Sequence, residues 1–406
     1  MTTQIILGNG HGIAVASDSA VTLGGRRTFD TSEKIYPLPL PHAVAVLHAG
    51  NVVFHGMPYS TIISSWIQSI GGHQLRYLQD YVESFSRFLC EEIHGWCDEE
   101  QQRDDFIESM NGEFQRIWNR MFVERTVVSS DEALKIWQSE VEWITKDDNY
   151  TFDAKKIEVN FLLVWHKQTE GSRSVSESVE YWFDDVPRTP EINDLIEKYV
   201  YKSLEGHYPL SDRSSAELTF AGFGTHSLIP AYQTLKMHGA LNGSIVWDKD
   251  DAEYAVRHSH GFCLINVIGQ NQAIVTFLQG YDPALRRVIH SASSGAFEKK
   301  IETESTEHER SGEHLPQLDP SIQNKMGELI EGAFADFGEK TRLISFRSTV
   351  VAMPLASLAT TAKSLVQIQE LFLDSRGELP TVGGQVRVAT ITKSHGFKWV
   401  TAMERQ

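Results

Sequence analysis

Two short apolar runs joined by Asn9-Gly10 do the most to limit what this chain can fold into. The runs are "TTQIILG" and "GIAVASD", and the "NGHG" between them contains the Asn-Gly pair that is typical of a tight β-hairpin. A third run, "HAVAVLHAG", follows the Pro-rich "YPLPLP". The start of the chain therefore predicts antiparallel strands.

Helical periodicity takes over after these strands. Apolar residues recur at three- and four-residue intervals from Pro58 to Glu92, around a break at Gly71-Gly72, and the pattern continues to about Thr145. The segments "KIEVNFLLVWHK" and "SVEYWFDDV" are then interpreted as strands, and a helix is predicted near Pro190 to Glu205. This alternation of strand and helix blocks is typical of a layered α+β fold.

The second half of the chain continues the alternation. The segment "AELTFAGFGTHSLIPAYQTLKM" is interpreted as a buried strand, a Gly-rich turn and a helix. The polar "KKIETESTEHERSGEHLPQLDP" is interpreted as an exposed loop. "LASLATTAKSLVQIQELF" predicts a helix, and "GGQVRVATITKSHGFKWV" predicts two strands across a "KSHG" turn.

Composition excludes several classes of function. With 406 residues and 41% hydrophobic residues the chain can bury a large core, and its net charge of -17 argues against nucleic acid and anionic membranes as partners. No apolar run is long enough to span a membrane and no signal peptide is recognisable, so we expect a cytoplasmic protein. The spacing of the three cysteines matches neither a disulfide framework nor a zinc motif. His258 and His260 lack a carboxylate at ligand spacing. We therefore expect no disulfide, no metal and no cofactor.

Thr2 offers reactive chemistry once Met1 is removed. Its α-amine, whose ordinary pKa is about 7.7–8.0, can accept the proton of its own hydroxyl, so nucleophile and base belong to one residue. A lysine nearby would favour the deprotonated hydroxyl, and a buried aspartate would hold that lysine charged. Lys34 and Asp18 can fill these roles if the strands bring them beside Thr2.

These residues resemble a known family. "TTQIILGNGHGIAVASDSAVTLGG", "TSEKIYPL" and "VAVLHAG" are similar to the catalytic β-subunits of proteasomes and to the bacterial HslV peptidase, which are N-terminal-nucleophile hydrolases. The resemblance implies Thr2 as nucleophile, with Asp18 and Lys34 following at intervals of sixteen residues. It also implies that Thr22 pairs with an extended substrate and that the Gly50 N–H forms the oxyanion hole.

The resemblance is strong over about the first fifty-five residues and weaker afterwards. Gly224 and the segment around Gly383 fall at positions that the family uses, but Phe223 stands where a serine is usual, and Leu379 and Val382 replace an aspartate and a serine. Thr381 or Glu378 could substitute for those two side chains in ordering the α-amine. Ala20 stands where many members have arginine.

The resemblance implies a four-layer αββα sandwich. We expect one domain over residues 2–406 with a helical insertion over 99–155 and a second insertion over 242–349. The implied partners are a peptide or amide substrate, further copies of the chain in a homo-oligomer, and an ATP-dependent unfoldase.

Two further interpretations stay open beside a threonine-type amide hydrolase. The acyl ester could pass to another amine, giving a transpeptidase or ligase. The departures near Gly383 instead favour an inactive scaffold or ring subunit.

Overall fold

The structure is a computed structural model, and it describes most of the chain. The described residues are 2–23, 27–29, 33–122, 128–146, 175–204, 215–241, 244–258, 260–286, 288–289, 292, 320–376 and 382–400. They divide into two compact units. The first unit comprises Met1–Ser32, Ala255–Thr392 and Lys398–Gln406, and the second comprises Glu33–Tyr254 and Lys393–Phe397.

The described residues form sixteen strands and ten α-helices. The strands are β1 Thr3–Asn9, β2 Gly12–Ser17, β3 Val21–Leu23, β4 Arg27–Phe29, β5 Ile35–Pro37, β6 Ala43–Gly50, β7 Val53–Phe54, β8 Met57–Pro58, β9 Ala216–Phe223, β10 Ala231–Leu241, β11 Ser244–Lys249, β12 Glu253–Tyr254, β13 Val256–His258, β14 Gly261–Gly269, β15 Arg387–Thr392 and β16 Gly396–Trp399. The helices are α1 Tyr59–Ile70, α2 Leu78–Glu92, α3 Glu99–Phe122, α4 Ser130–Lys146, α5 Val175–Phe183, α6 Pro190–Leu204, α7 Gln272–Gln279, α8 Pro320–Gly338, α9 Ile344–Ala352 and α10 Leu355–Asp374.

The first unit contributes most of a six-stranded sheet in the order β13-β14-β1-β2-β15-β16. The hairpin of β1 and β2 forms at its centre, where Asn9 pairs with Gly12 and the Asn9 side chain accepts the N–H of His11. Helix α10 packs against β1, β2 and β15. Its buried residues recur every three to four positions, which places them on one face of the helix: Leu358, Ala359, Ala362, Leu365, Val366, Gln369 and Leu373.

The second unit contains a sheet in the order β11-β10-β9-β6-β5, with the short β12 beside β10. Helices α1 and α2 contribute to its core, where the ring of Trp66 contacts the rings of Phe85 and Phe220 edge to face. Helices α3 to α6 of the same unit have a separate core, which centres on Phe114, Trp137 and Phe183.

Much of the predicted secondary structure is confirmed. The first hairpin, the helices on both sides of Gly71-Gly72, the helix near Pro190 and the last helix and hairpin all form. The chain is α+β with antiparallel sheets, as the sequence predicts. Among the described residues, no helix combines the length and the apolar character that a membrane span requires.

Two predictions of secondary structure are wrong. Residues Val175–Phe183 form a helix where a strand was predicted, because Val175, Val179 and Phe183 are buried at four-residue spacing. Residues Ala231–Leu241 form a strand where a helix was predicted, because they pair with β9 from Ala231 opposite Gly222 to Met237 opposite Ala216. The segment "KIEVNFLLVWHK" and the polar "KKIETESTEHERSGEHLPQLD" lie outside the described residues.

The division into one domain with two insertions stays a prediction. Helices α3 and α4 form within the predicted helical insertion, over residues 99–155. The predicted insertion over 242–349 supplies β14, which pairs with β1 from Thr3 opposite Gly269 to Asn9 opposite Cys263. Strand β14 is therefore an integral part of the first sheet.

Candidate active site

Thr2 and Thr3 stand at the start of β1, between the ends of two neighbouring strands. On one side, Thr3 pairs with Gly269 at the end of β14, and the Gln270 N–H donates to the Thr2 carbonyl at 2.8 Å. On the other side, Asp18 follows directly after β2, and its N–H donates to the Thr3 carbonyl at 3.2 Å. The backbone at Thr2 is thus fixed from both edges.

The Asp18 carboxylate binds the backbone beside Thr2. Its Oδ1 accepts the Thr3 N–H at 2.9 Å, and its Oδ2 accepts the Gly383 N–H at 3.4 Å. The side chain is buried. The structure therefore brings together Asp18 and the residue that immediately follows Thr2, within the first unit.

The two adjacent threonines have different surroundings. Thr3 is fully buried, its hydroxyl donates to the Gln270 carbonyl at 2.7 Å, and its N–H is a peptide amide that is bound to Asp18. The hydroxyl and the nitrogen of Thr3 are therefore already engaged and cannot serve as nucleophile and base. Thr2 retains 6% of its surface exposed, and its nitrogen becomes an amine when the preceding peptide bond is cut.

Gly383 connects the segment before β15 to the turn after β2. Its carbonyl accepts the N–H groups of Ser19 at 3.2 Å and Ala20 at 3.0 Å, and its own N–H binds Asp18. The neighbouring Val382 is fully buried, so the position predicted to depart from the family's serine offers no hydroxyl. Thr381, Glu378 and Leu379 lie outside the described residues.

Sequence reasoning missed the contributions of Thr3, Gly269 and Gln270. It mentioned Gly383 only to locate neighbouring residues and gave it no role. Gln270 and Gly383 lie 267 and 365 positions away from the residues that they bind. No local pattern signals such pairings, because they depend on the order of strands in the finished sheet.

Gly269 matters because of a close approach to the Thr2 backbone. A Cβ atom at position 269 would lie 2.1 Å from the Thr2 carbonyl oxygen, and the φ angle of +75° is one that side-chain-bearing residues rarely adopt. Replacement of Gly269 by alanine must therefore displace β14 from the start of β1.

We expect Gly269→Ala to lower the free energy of unfolding by about 2 kcal/mol, as overpacking against backbone usually does. Urea denaturation measures the change. Gly10→Ala is the matched control, since a Cβ at Gly10 meets no atom within 4 Å. Equal stability of the two variants would contradict this account of Gly269.

Lys34 and Gly50 belong to the second unit. Lys34 is buried just before β5, and its carbonyl accepts the His48 N–H at 2.9 Å. Gly50 ends β6, opposite Ala216 of β9, and is exposed. The approach of Lys34 and Gly50 to Thr2 stays a prediction.

The two remaining substrate positions have different surroundings. Thr22 lies in β3, opposite Thr28 of β4. Gly224 packs against the backbone of a neighbouring loop, since a Cβ there would lie 2.1 Å from the Arg76 carbonyl oxygen. This close contact accounts for a glycine at position 224 without any role in substrate binding, so that role stays a prediction.

His48 is a buried histidine that sequence reasoning did not identify. Its Nε2 donates to the Asn51 carbonyl at 2.7 Å, and its ring lies 4.8 Å from the ring of Tyr59. Burial lowers the pKa of His48 to about 4; the bond to Asn51 opposes this shift, and the charge of Lys34 reinforces it. His48 is therefore neutral in the folded protein at pH 7, with its proton on Nε2.

This burial predicts a loss of stability in acid. Below pH 6.5 the unfolded chain gains a proton on His48 that the folded chain takes up only near pH 4, so stability falls as the pH drops across that range. A shift of this size corresponds to about 3 kcal/mol of unfolding free energy at pH 4. Urea denaturation of the native chain and of His48→Gln at pH 7 and pH 4.5 isolates the effect. An identical pH dependence in both proteins would contradict it.

Three side chains of the second unit are close enough to share a metal ion. Ligand atoms of His55, Cys97 and Asp105 all lie within 4.8 Å of one another. However, His55 Nε2 accepts the Ala240 N–H at 2.7 Å, so the ring proton is on Nδ1, which contacts Asp105. Burial and the nearby Asp105 raise the pKa of Cys97 to about 11, which keeps the thiol protonated. In the bonding described here, His55 Nδ1 and Cys97 Sγ each carry a proton that a bound metal ion would have to displace.

Comparison with known proteins gives little support for a family. No family model matches the chain, and no curated protein matches it. Solved structures that match include "Anbu (ancestral beta-subunit)" from Yersinia bercovieri, with 9% identity, 99% of this chain and 88% of that chain covered, and a TM-score of 0.30. Anbu from Hyphomicrobium sp. strain MC1 matches with 9% identity, 100% and 89% coverage and a TM-score of 0.29. Its Gly-1 mutant matches with 10% identity, the same coverage and a TM-score of 0.28.

These findings correct the identification of the chain as a member of the proteasome β-subunit and HslV family. That identification is wrong, because no family model matches and the structural matches are Anbu proteins at TM-scores of 0.28 to 0.30. The motifs on which it depended cover only about the first fifty-five of 406 residues. Short motifs of this kind describe a local hairpin and its neighbours, which different folds can share.

Proposed function

We propose that the chain is an amide hydrolase whose nucleophile is the hydroxyl of Thr2, exposed as the first residue of the mature chain. One observation carries the proposal: the Asp18 carboxylate binds the N–H groups of Thr3 and Gly383 beside Thr2. A buried carboxylate at this position fixes the backbone that bears the nucleophile. Its negative charge also favours the charged form of a neighbouring cation.

The reaction needs no side-chain base other than the chain end. The α-amine of Thr2 accepts the hydroxyl proton while Oγ1 attacks the carbonyl carbon of the substrate, and a C–O bond forms. The amide C–N bond then breaks, and the proton passes to the leaving amine. Water attacks the resulting ester, releases the acid and restores the hydroxyl. The same amine serves as acceptor in the second step.

Lys34 and Gly50 complete the proposal. Lys34 is buried, and its ammonium is proposed to keep the α-amine neutral by charge repulsion. The Gly50 N–H is proposed to stabilise the oxyanion, and Thr22 to pair with an extended substrate. We assign the substrate only as a peptide or smaller amide. The four-layer αββα sandwich and a homo-oligomer belong to the same proposal.

Mass spectrometry with a threonine-directed probe tests the nucleophile. An epoxyketone reacts with a hydroxyl and an α-amine on the same residue, so it labels only a processed chain that begins at Thr2. We expect the N-terminal peptide to start at Thr2 and to carry one probe. A chain that retains Met1 and takes up no probe, or a probe attached to another residue, would overturn the proposal.

An inactive scaffold is the second candidate. The fully buried Val382 beside Gly383 favours it, because an apolar side chain there cannot help to order an α-amine. A scaffold would have no use for a processed Thr2 and would not react with the probe. If the chain reacts, transfer of the ester to an added amine, measured beside hydrolysis, separates a ligase from a hydrolase.

A further inference from the structure

We infer that Thr3 is a positioning residue for Thr2, and that its hydroxyl holds the nucleophile in register against the corner between β14 and α7. The inference rests on the proposed function. It names a side chain that neither the spacing of motifs nor the proposed reaction uses.

Gln270 is bonded to both threonines. This residue donates its N–H to the Thr2 carbonyl at 2.8 Å and accepts the Thr3 hydroxyl on its carbonyl at 2.7 Å. One residue of the corner therefore forms hydrogen bonds with both threonines. The N–H and the carbonyl of Gln270 belong to the two peptide groups on either side of its Cα. A change in one of these bonds therefore alters the direction of the other.

The corner is held by hydrogen bonds to the neighbouring helices. Helix α7 begins at Gln272, directly after Asn271, whose carbonyl accepts the Val275 N–H at 2.8 Å. The Ala273 N–H of its first turn donates to Gln369 Oε1 of α10 at 2.8 Å. The Gln270 carbonyl is thus anchored to a helix that is itself bonded to the longest helix packed on this sheet.

Thr3 is suited to this role by its surroundings. It is fully buried, and its N–H and carbonyl bind Asp18 on the opposite edge of β1. The hydroxyl is the only side-chain group by which Thr3 reaches the Gln270 side among the bonds described. Without it, the described bonds from Gln270 to the two threonines are reduced to the one that its N–H donates to the Thr2 carbonyl, and the backbone that carries the Thr2 hydroxyl is held less firmly.

The test is a matched series at position 3, with a β-lactone as probe. Thr3→Val keeps the shape of the side chain and removes the donor, whereas Thr3→Ser keeps the donor and removes a methyl group. We expect Thr3→Val to slow the maximal rate of acylation of Thr2 about tenfold, with the probe's dissociation constant unchanged, since misorientation affects the reacting geometry and not ground-state binding. Thr3→Ser should retain the native rate within about threefold.

The outcomes separate the two proposals. If the native chain is not acylated at Thr2, the proposed function fails. If the native chain is acylated and Thr3→Val reacts at the same rate, or Thr3→Ser is slowed as much as Thr3→Val, the positioning role of Thr3 is wrong. Should Thr3→Val fail to fold, Thr3→Cys replaces it, because a thiol is a weaker donor of similar size. An acylation rate of Thr3→Cys equal to that of Thr3→Ser would then overturn the inference.

Discussion

Replacement of Thr2 by alanine is expected to abolish acylation by the probe and to lower amide hydrolysis by roughly 10⁴-fold or more, the scale on which hydrolases lose activity without their nucleophile. The substitution removes the hydroxyl and leaves the backbone that carries the bonds to Gln270 intact. The free energy of unfolding should therefore change by less than about 1 kcal/mol. Intact mass and probe labelling measure the first effect, and urea denaturation measures the second.

Thr2→Ser is the matched control for this substitution. Serine supplies the same hydroxyl and the same α-amine, and its small side chain also permits removal of Met1. We expect Thr2→Ser to react with the probe, more slowly than the native chain. Labelling that persists in Thr2→Ala would show that another residue is the nucleophile, and the proposal would be wrong.

Replacement of Asp18 by asparagine is expected to be the second most damaging change. The carboxylate accepts two N–H groups, from Thr3 and Gly383, one on each oxygen. An amide has one oxygen, so its NH₂ group would face one of these donors and leave it buried without an acceptor. We expect a loss of about 2 kcal/mol in unfolding free energy. The acylation rate should fall roughly 10²-fold, because the backbone beside Thr2 shifts.

Asp80→Asn provides the control for Asp18. Asp80 belongs to the second unit, and its Oδ2 accepts the Tyr77 N–H at 2.9 Å. This substitution makes the same chemical change outside the first unit, so acylation should stay within about twofold of the native rate. Equal loss of acylation in both variants would show that Asp18 acts only through general stability.

The position of Asp18 beside Thr3, the residue after Thr2, is the part of the candidate site that follows from the sequence. In a two-residue hairpin the turn sets the register of the two strands. Counting back from Asn9 opposite Gly12, one residue at a time, places Gln4 opposite Ser17. The next positions outward are Thr3 and Asp18. A local turn signal therefore specifies this half of the site before any other part of the chain is considered.

The other half of the site depends on long-range pairing. Gly269 and Gln270 reach Thr2 only because β14 adds to the free edge of β1, and the order of strands in a sheet is not encoded by any short segment. For the same reason, the strand Ala231–Leu241 was not foreseen, since it is stabilised as a strand by its pairing with β9. The helix Val175–Phe183 was missed for a different reason. The four-residue spacing of its buried apolar residues is visible in the sequence, but its aromatic residues favoured a strand.

The central position of β1 has a consequence for how the protein matures. The bonds that fix Thr2 and Asp18 come from Gln270 and Gly383, which the ribosome adds long after the chain end has emerged. In a nascent chain, the start of β1 therefore lacks these partners until nearly all of the polypeptide has been made. The sheet around β1 can be completed only late in synthesis.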